Sequence, residues 1–264
     1  MKTLPIFTGD LEAGWRSLVA WSVAIIAVLC LYLPIYPSMN TPQLTQMIQA
    51  LPAELTQALG YDQITSGQGY TQATFFGLMG FVLIAIAAIS WGAAAIAGEE
   101  ESGQLELTLA HSVGRVQYAL ETAGALVVKL VLLGAVATVV ITVLNSPSEL
   151  GIGSTELFAE IFAWVGLGLL CGCAALAAGA LTGRRAWAIV AGAAVAVLGY
   201  AFNALGNMSS NVEWLKYLSP YDWAYRNTPL LDGFDWGGLA LLWGLSLVLI
   251  VVSAVALARR DIKG

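Results

Sequence analysis

The amino-acid sequence predicts an all-α membrane protein, a single transmembrane domain over residues 1–264 that crosses the bilayer six times. Of its 264 residues, 58% are hydrophobic and 11% are charged, less than half of the roughly 25% charged residues in soluble domains. The mean hydropathy is +0.78. Six apolar stretches are long enough to cross a hydrocarbon core, which takes about 20 residues. Each is predicted to be helical, because lipid offers no partner to an unpaired backbone N–H or C=O.

Six stretches are predicted to span the membrane: residues 17–36, 71–97, 118–144, 155–181, 186–205 and 236–258. The first is expected to be permanent, because no small-residue cleavage site follows it. The fourth contains Gly168-x-x-x-Gly172, a spacing that lets two helices approach closely. That contact is expected either within the subunit or at a dimer seam.

The basic residues predict that both termini are cytoplasmic. Membrane proteins carry an excess of Lys and Arg in their cytoplasmic connections. Eight basic residues fall on the side of the termini, whereas the opposite connections hold Lys216 and Arg226 beside seven acidic residues. The eight are Lys2, Arg16, Arg115, Arg184, Arg185, Arg259, Arg260 and Lys263. We therefore expect a multi-pass protein of the cell membrane.

The two long connections on the opposite, extracellular side are expected to carry interfacial helices. Residues 37–70 hold six apolar side chains at helical spacing, which is typical of an amphipathic helix in the interface or on the protein's own surface. They are Leu44, Met47, Ile48, Leu51, Leu55 and Leu59. Residues 206–235 contain several Trp and Tyr residues, and such rings favour the headgroup level. Membrane anchoring is the main interpretation of these rings, and an aromatic ligand site is the alternative.

Charge and composition argue against several kinds of site. The net charge of −6 argues against nucleic acid as a partner. Cys30, Cys171 and Cys173 lie in apolar stretches and are expected to pack as small hydrophobic residues, with a soft metal at the last two as the alternative. The single histidine, His111, has no second ligand near it in the sequence. We therefore expect no metal site, no catalytic residue and no cofactor bound by this chain.

The connection at residues 98–117 is the most informative segment. It begins with three consecutive carboxylates and continues as Gln104-Leu105-Glu106-Leu107-Thr108-Leu109. Leu105, Leu109 and Val113 lie on one helical face. An acidic loop in water is one interpretation. The leucines favour the other, a short helix whose apolar face is covered by a partner protein.

Residues 98–115 resemble the cytoplasmic loop in permease subunits of type-2 ABC exporters. The family pattern runs Gly-Glu-Glu-x-x-Gly-Thr-Leu-Glu-x-Leu-Leu-Ala-x-Pro-Val-x-Arg, and the loop forms a coupling helix that docks in a groove of the ATP-hydrolysing subunit. The matching residues are Gly98, Glu99, Glu100, Gly103, Leu105, Glu106, Leu109, Ala110, Val113 and Arg115. Gln104 and Ser112 depart from the pattern, where Thr and Pro are usual. The resemblance implies an ATPase-coupling set of Glu99, Glu100, Gly103, Leu105, Glu106, Leu109, His111 and Arg115.

Three weaker motifs extend this resemblance over the whole chain. Gly14-Trp15-Arg16-Ser17-Leu18 is similar to the family's N-terminal interfacial helix on the inner surface. Leu218-Ser219-Pro220-Tyr221 is similar to the stretch before the last span, and Arg259-Arg260-Asp261-Ile262 to the family's ending. The motifs occur in the family's order.

The resemblance implies the membrane-spanning permease subunit of an ATP-driven ABC exporter. No Gly-x-x-x-x-Gly-Lys-(Ser/Thr) phosphate loop occurs in the sequence, so ATP and Mg²⁺ are expected on a separate ABC ATPase subunit, present in two copies. A six-span half also implies a second permease copy, as a homodimer or a heterodimer, surrounded by membrane lipid. The alternatives are a six-span scaffold or sensor, or a secondary transporter, neither with an ATPase partner.

Five residues inside the spans are expected to line a substrate path or gate. They are Phe76, Met79, Lys129, Tyr200 and Asn203. All but Lys129 follow from the resemblance, because the family builds its path from the second and fifth spans. Ordinary packing is the alternative interpretation of these four residues. Lys129 is included because a charge within a span is costly, with an ion pair to a neighbouring helix as its alternative. Glu121 is not expected to be that partner, since helical rise places it roughly 12 Å away.

Overall fold

The computed structural model describes residues 4–39, 66–110 and 113–260. The regular elements of these ranges are helices, which we number α1 to α9. They are α1 (Pro5–Tyr32), α2 (Gly67–Glu101), α3 (Gln104–Leu109), α4 (Arg115–Asn145), α5 (Ser154–Thr182), α6 (Arg185–Met208), α7 (Pro220–Tyr225), α8 (Pro229–Asp232) and α9 (Trp236–Arg259). Six of them, α1, α2, α4, α5, α6 and α9, are long and apolar enough to cross a membrane. The prediction of an all-α six-span protein is confirmed.

The first span and the expected N-terminal interfacial helix form one continuous helix. α1 begins at Pro5 and runs through the predicted span, then continues as a 3-10 turn at Leu33–Ile35. Proline at the first helical position is compatible with this start, because its missing N–H is not needed there. The amphipathic helix predicted from Leu44 to Leu59 lies outside the described residues.

Helix α5 is the central element of the bundle. In its most apolar 18-residue window, 83% of the residues are buried, against 17–44% in the other five long helices. Helices α2, α4, α6 and α9 all pack directly on it. Its sequence permits this because small residues recur along it, among them Gly166, Gly168, Gly172, Ala175 and Gly179.

Helices α2 and α5 approach each other closely. A Cβ atom added at Gly92 would overlap the carbonyl oxygen of Gly172, and one added at Gly168 would lie 2.7 Å from Cγ1 of Ile84. Gly168-x-x-x-Gly172 therefore packs against α2 of the same chain. The structure decides the question left open by the sequence in favour of contact within the subunit.

Helix α2 departs from regular α geometry in two places. Wider π-helical turns occupy Gln72–Gly80 and Ala94–Gly98. In the first of them, the Tyr221 hydroxyl donates to the carbonyl oxygen of Gly77 over 2.8 Å. The π-helical stretch also places the adjacent rings of Phe75 and Phe76 in the core, where both are fully buried. Wide turns of this kind are rare and concentrate at functional sites.

The connections at the end of the bundle opposite α3 are fixed by side-chain caps. Asn145 holds the α4–α5 connection by donating to the Ile152 carbonyl at 2.8 Å and accepting from its N–H at 3.0 Å. Ser219 caps α7, and Asp235 caps α9. Residues 206–235 are helical as predicted, with a 3-10 stretch at Ser210–Leu218 before α7 and α8.

Gly92→Ala is expected to destabilise the protein by about 1–3 kcal/mol, the usual cost of overpacking, because the new methyl group meets the backbone of α5. Gly244→Ala is the matched control, since a Cβ there meets open space. Heat-induced loss of the monodisperse species in detergent measures both variants. Equal midpoints for the two variants would contradict the close α2–α5 contact.

Candidate functional site

The segment that resembles a coupling loop folds as a short helix between two spans. Helix α2 ends at Glu101, and the chain turns through Gly103 in the left-handed region, at φ 74°. A residue with a Cβ is strained there, which explains glycine at this position. Helix α3 follows, and α4 starts at Arg115. His111, assigned to the coupling set from the sequence, lies outside the described residues.

The structure places Leu105 against other helices of its own chain. Its side chain is 0% exposed and belongs to a cluster built by α2, α4, α5 and α9 of the same chain. We call this cluster the α3 seat; its other buried members are Ile96, Tyr118, Ala119, Ala123, Leu176, Ala180, Ala254 and Leu257. Leu109 and Val113 are partly buried against it. The chain itself therefore covers Leu105 and part of the apolar face recognised in the sequence, and a contact of this face with an ATPase stays a prediction.

A different leucine points away from the bundle. Leu107 is 66% exposed. Gln104, Glu106 and Ala110 are exposed beside it. We call these four residues the α3 outer face. Spacing along a helix predicts which residues share a face, but not which face packs on the bundle. The face that the spacing identified, with Leu105 and Leu109, is the one that packs on the bundle.

Charged groups near α3 tie the ends of four long helices to one another. Glu100, near the end of α2, forms an ion pair with Arg260, just beyond α9. Arg115, at the start of α4, donates to the Arg260 carbonyl oxygen at 2.7 Å. We call Glu100, Arg115 and Arg260 the rim clamp. In addition, the Arg185 N–H at the start of α6 donates to the Glu101 carboxylate at 2.8 Å.

The rim clamp gives two members of the predicted coupling set a contact within the chain. Glu100 and Arg260 are mostly buried, with side chains 15% and 20% exposed, so their pair is screened less than a surface pair. Glu99 is partly buried, and Glu106 is exposed on α3. A direct contact of Glu106 with an ATPase therefore stays a prediction, and Glu100 and Arg115 hold helix ends together.

Lys129 forms an ion pair with a neighbouring helix, which was the alternative to a role in a substrate path or gate. Its Nζ lies 2.9 Å from Oδ1 of Asp10 on α1 and 5.7 Å from the centre of the Trp91 ring. The side chain is 4% exposed, so a lysine left without a counter-charge there would be costly. Gly14 leaves room for it, because a Cβ at that position would lie 2.9 Å from Nζ.

Glu121 does not pair with Lys129, as helical rise indicated. Its Oε2 accepts hydrogen bonds from the N–H groups of Ile6 and Phe7, at 2.8 and 3.0 Å. These donors belong to the first turn of α1, which has no side-chain cap of its own, and an acceptor from another helix satisfies them. Glu121 and Lys129 therefore both attach α1 to α4.

The other four path candidates differ in their surroundings. Phe76 is fully buried against Trp164 of α5, with ring centres 5.8 Å apart. Met79 is 36% exposed on α2. Asn203 is partly exposed on α6. Tyr200 instead packs against Phe81, with ring centres 6.3 Å apart. A substrate path through these residues stays a prediction.

Tyr200 belongs to an aromatic cluster that the sequence did not reveal. Four rings form this cluster, and the centres of contacting rings lie 4.9–6.3 Å apart. They are Phe81 of α2, Tyr200 of α6, and Tyr221 and Tyr225 of α7. Such ring pairs add to the stability given by burial alone. The cluster joins α2 to α6 at the end of the bundle opposite α3. Asp10 and Trp91 were also missed, although a lysine within a span is itself a signal that a carboxylate lies nearby.

Asp10→Asn is expected to destabilise the protein by about 2 kcal/mol, because it leaves the buried Lys129 ammonium without its counter-charge. The loss is smaller than for a fully buried pair because the Asp10 side chain is 31% exposed. The double variant Asp10→Asn/Lys129→Met is expected to recover most of this stability, since no charge remains. Thermal midpoints in detergent check both. A double variant no more stable than Asp10→Asn alone would contradict this account of the pair.

Comparison with known families assigns the chain. A family model described as ABC-2 family transporter protein matches residues 4–262. Comparison with curated proteins finds no match. The matched region contains all six long helices, the α3 segment and the rim clamp. The chain belongs to the ABC-2 family of transporter proteins, as a membrane permease subunit of the kind that works with an ABC ATPase.

Proposed function

We propose that this permease subunit belongs to an ATP-driven exporter and that α3 docks in a groove of a separate ABC ATPase subunit. One observation carries the proposal: α3 projects an exposed leucine from the end of the bundle while Leu105 anchors the helix below it. Leu107 is 66% exposed and Leu105 is 0% exposed. An exposed apolar side chain on a rigid base is a suitable anchor for a protein groove.

The α3 seat and the rim clamp supply a route for force. Leu105 contacts the cluster built by α2, α4, α5 and α9. The ion pair of Glu100 with Arg260 and the hydrogen bond from Arg115 join the ends of α2, α4 and α9. A displacement of α3 therefore displaces these helix ends together, since packed cores shift as units and do not deform continuously. Closure of two ATPases would in this way rock the permease halves and open a path outward.

The proposed topology places α3 and both chain ends in the cytoplasm of a cell with the protein in its plasma membrane. Two contacts support a common side. The start of α1 is held by Glu121 of α4, and the end of α9 is held by Glu100 of α2. Arg259 and Arg260 lie on that side as well. The full assembly is proposed to contain two ATPase subunits, which hold ATP and Mg²⁺, and two permease copies, as a homodimer or heterodimer.

Leu107→Asp is expected to weaken association with the ABC ATPase at least about tenfold, because a carboxylate would enter an apolar contact. Leu105→Asp is expected to act differently and to lower the yield of folded protein, since it places a charge in the α3 seat. Co-purification of the ATPase with the tagged chain, quantified per folded chain, measures the first effect. Size-exclusion profiles measure the second.

Leu218→Asp is the matched control for the docking experiment. Leu218 is 55% exposed and lies in the 3-10 stretch at the opposite end of the bundle, so the same substitution there should leave ATPase association unchanged. Retention of the ATPase by Leu107→Asp at the level of Leu218→Asp would rule out the α3 outer face as the docking surface.

A further inference from the structure

A carboxyl group lies fully buried in the central helix, and none of the described residues supplies it with a counter-charge. Glu160 of α5 is 0% exposed. Its Oε1 accepts one hydrogen bond, from Nε2 of Gln72 on α2, at 3.0 Å. Among the described residues, no ion pair includes Glu160; the buried cation Lys129 is held by Asp10. A charged carboxylate within a span is costly unless a cation or several donors compensate it.

Two acceptor oxygens of this pair have no hydrogen-bond partner in the part of the chain that the structure describes. They are Oε2 of Glu160 and Oε1 of Gln72, both buried. The other polar atom of each side chain, Oε1 of Glu160 and Nε2 of Gln72, takes part in the hydrogen bond between them. An ionised carboxylate cannot satisfy the amide oxygen, because both atoms only accept. A protonated carboxyl can, since its O–H donates while its other oxygen accepts. One proton on the carboxyl therefore supplies the donor that this pair of acceptors lacks.

The surroundings favour the neutral carboxyl. Trp164 lies one turn further along the same face of α5 and packs on Phe75 and Phe76. Its indole Nε1 and the Tyr225 hydroxyl are buried donors without a partner among the described residues. An ionised carboxylate at Glu160 would need hydrogen bonds from donors such as these two. Neither donor bonds to it, and the carboxyl accepts one hydrogen bond, from the neutral amide of Gln72.

The titratable neighbours of Glu160 do not supply a positive charge. They are the phenols of Tyr221 and Tyr225 on α7, with Tyr200 of α6 and Cys171 of α5 behind them. Burial is the main cause that raises the pKa of both α7 phenols, and the Glu160 carboxyl is a further cause. A phenol or a thiol is neutral or negative, never positive, in either protonation state. None of them can balance a carboxylate.

We propose that Glu160 and Gln72 form a proton-binding site inside the membrane. The Glu160 carboxyl carries the proton on Oε2 and donates it to Oε1 of Gln72, while Nε2 of Gln72 donates to Oε1 of Glu160. The bound ligand is a single proton, and its release leaves the carboxylate and returns H⁺ to water. The site joins α2 to α5 at the end opposite α3. It does not depend on the proposed ATPase contact.

Infrared spectroscopy of the purified chain at pH 7.5 tests this site directly. A protonated carboxyl has a carbonyl stretching band separate from the bands of carboxylates and of the backbone. The wild-type chain is expected to show such a band, shifted in D₂O, and Glu160→Gln is expected to lose it. Glu160→Gln should fold, because an amide can form the same two hydrogen bonds with Gln72. Glu156→Gln, one turn away on α5 and partly exposed, is the matched control and should keep the band.

A second variant keeps the test decisive if Glu160→Gln does not fold. Gln72→Leu removes the amide, so the band should remain and move to higher frequency as its carbonyl loses a donor. A wild-type minus Glu160→Gln spectrum with carboxylate bands only would overturn the proposal. So would a Gln72→Leu spectrum in which the carboxyl band is absent or unmoved.

Discussion

A membrane helix that is surrounded by other helices can be approached only as closely as its own side chains allow. Helix α5 is in this position, and its glycines and alanines decide how the bundle assembles. Gly172 accepts the backbone of α2 at Gly92, and Gly168 accepts Ile84. Because α2 lies so close to α5, its far end is fixed over the α3 seat. The position of α3 thus follows from packing deep in the bundle.

Charged groups attach the long helices to one another. Three of these contacts involve charged residues whose positions in the sequence could suggest a functional role. Lys129 binds Asp10, Glu121 caps the first turn of α1, and Glu100 binds Arg260. The first two fasten α1 to α4, and the third closes the rim clamp. Helix ends held together in this way suit the proposed docking of an ATPase at α3, because they would move as a unit.

The sequence predicted the features that depend on composition and local spacing. Six long apolar segments, a short helix after Glu101 and a close contact at Gly168 and Gly172 all follow from residues near one another in the chain. Features that depend on how helices meet were not predictable. Leu105 and Leu109 are four residues apart and therefore share a helical face. Only the folded bundle shows that this face packs against the other helices.

The partner of Lys129 and the pair formed by Gln72 and Glu160 were hidden for the same reason. Asp10 and Lys129 are 119 residues apart in the chain, and Gln72 and Glu160 are 88 apart, so their contacts depend on the relative register of two helices. The π-helical turns of α2 shift that register further, and no local pattern marks them. Long-range polar contacts of this kind require a structure.

Photo-cross-linking at position 107 tests the central claim most directly. A photoreactive benzoyl-phenylalanine replaces Leu107 in the tagged full-length chain, the cells are irradiated, and the adducts are identified by mass spectrometry. The account predicts an adduct with an ABC ATPase, and none when the same group replaces Leu218. An intact, folded chain whose position 107 reproducibly gives no ATPase adduct would contradict α3 as the docking helix.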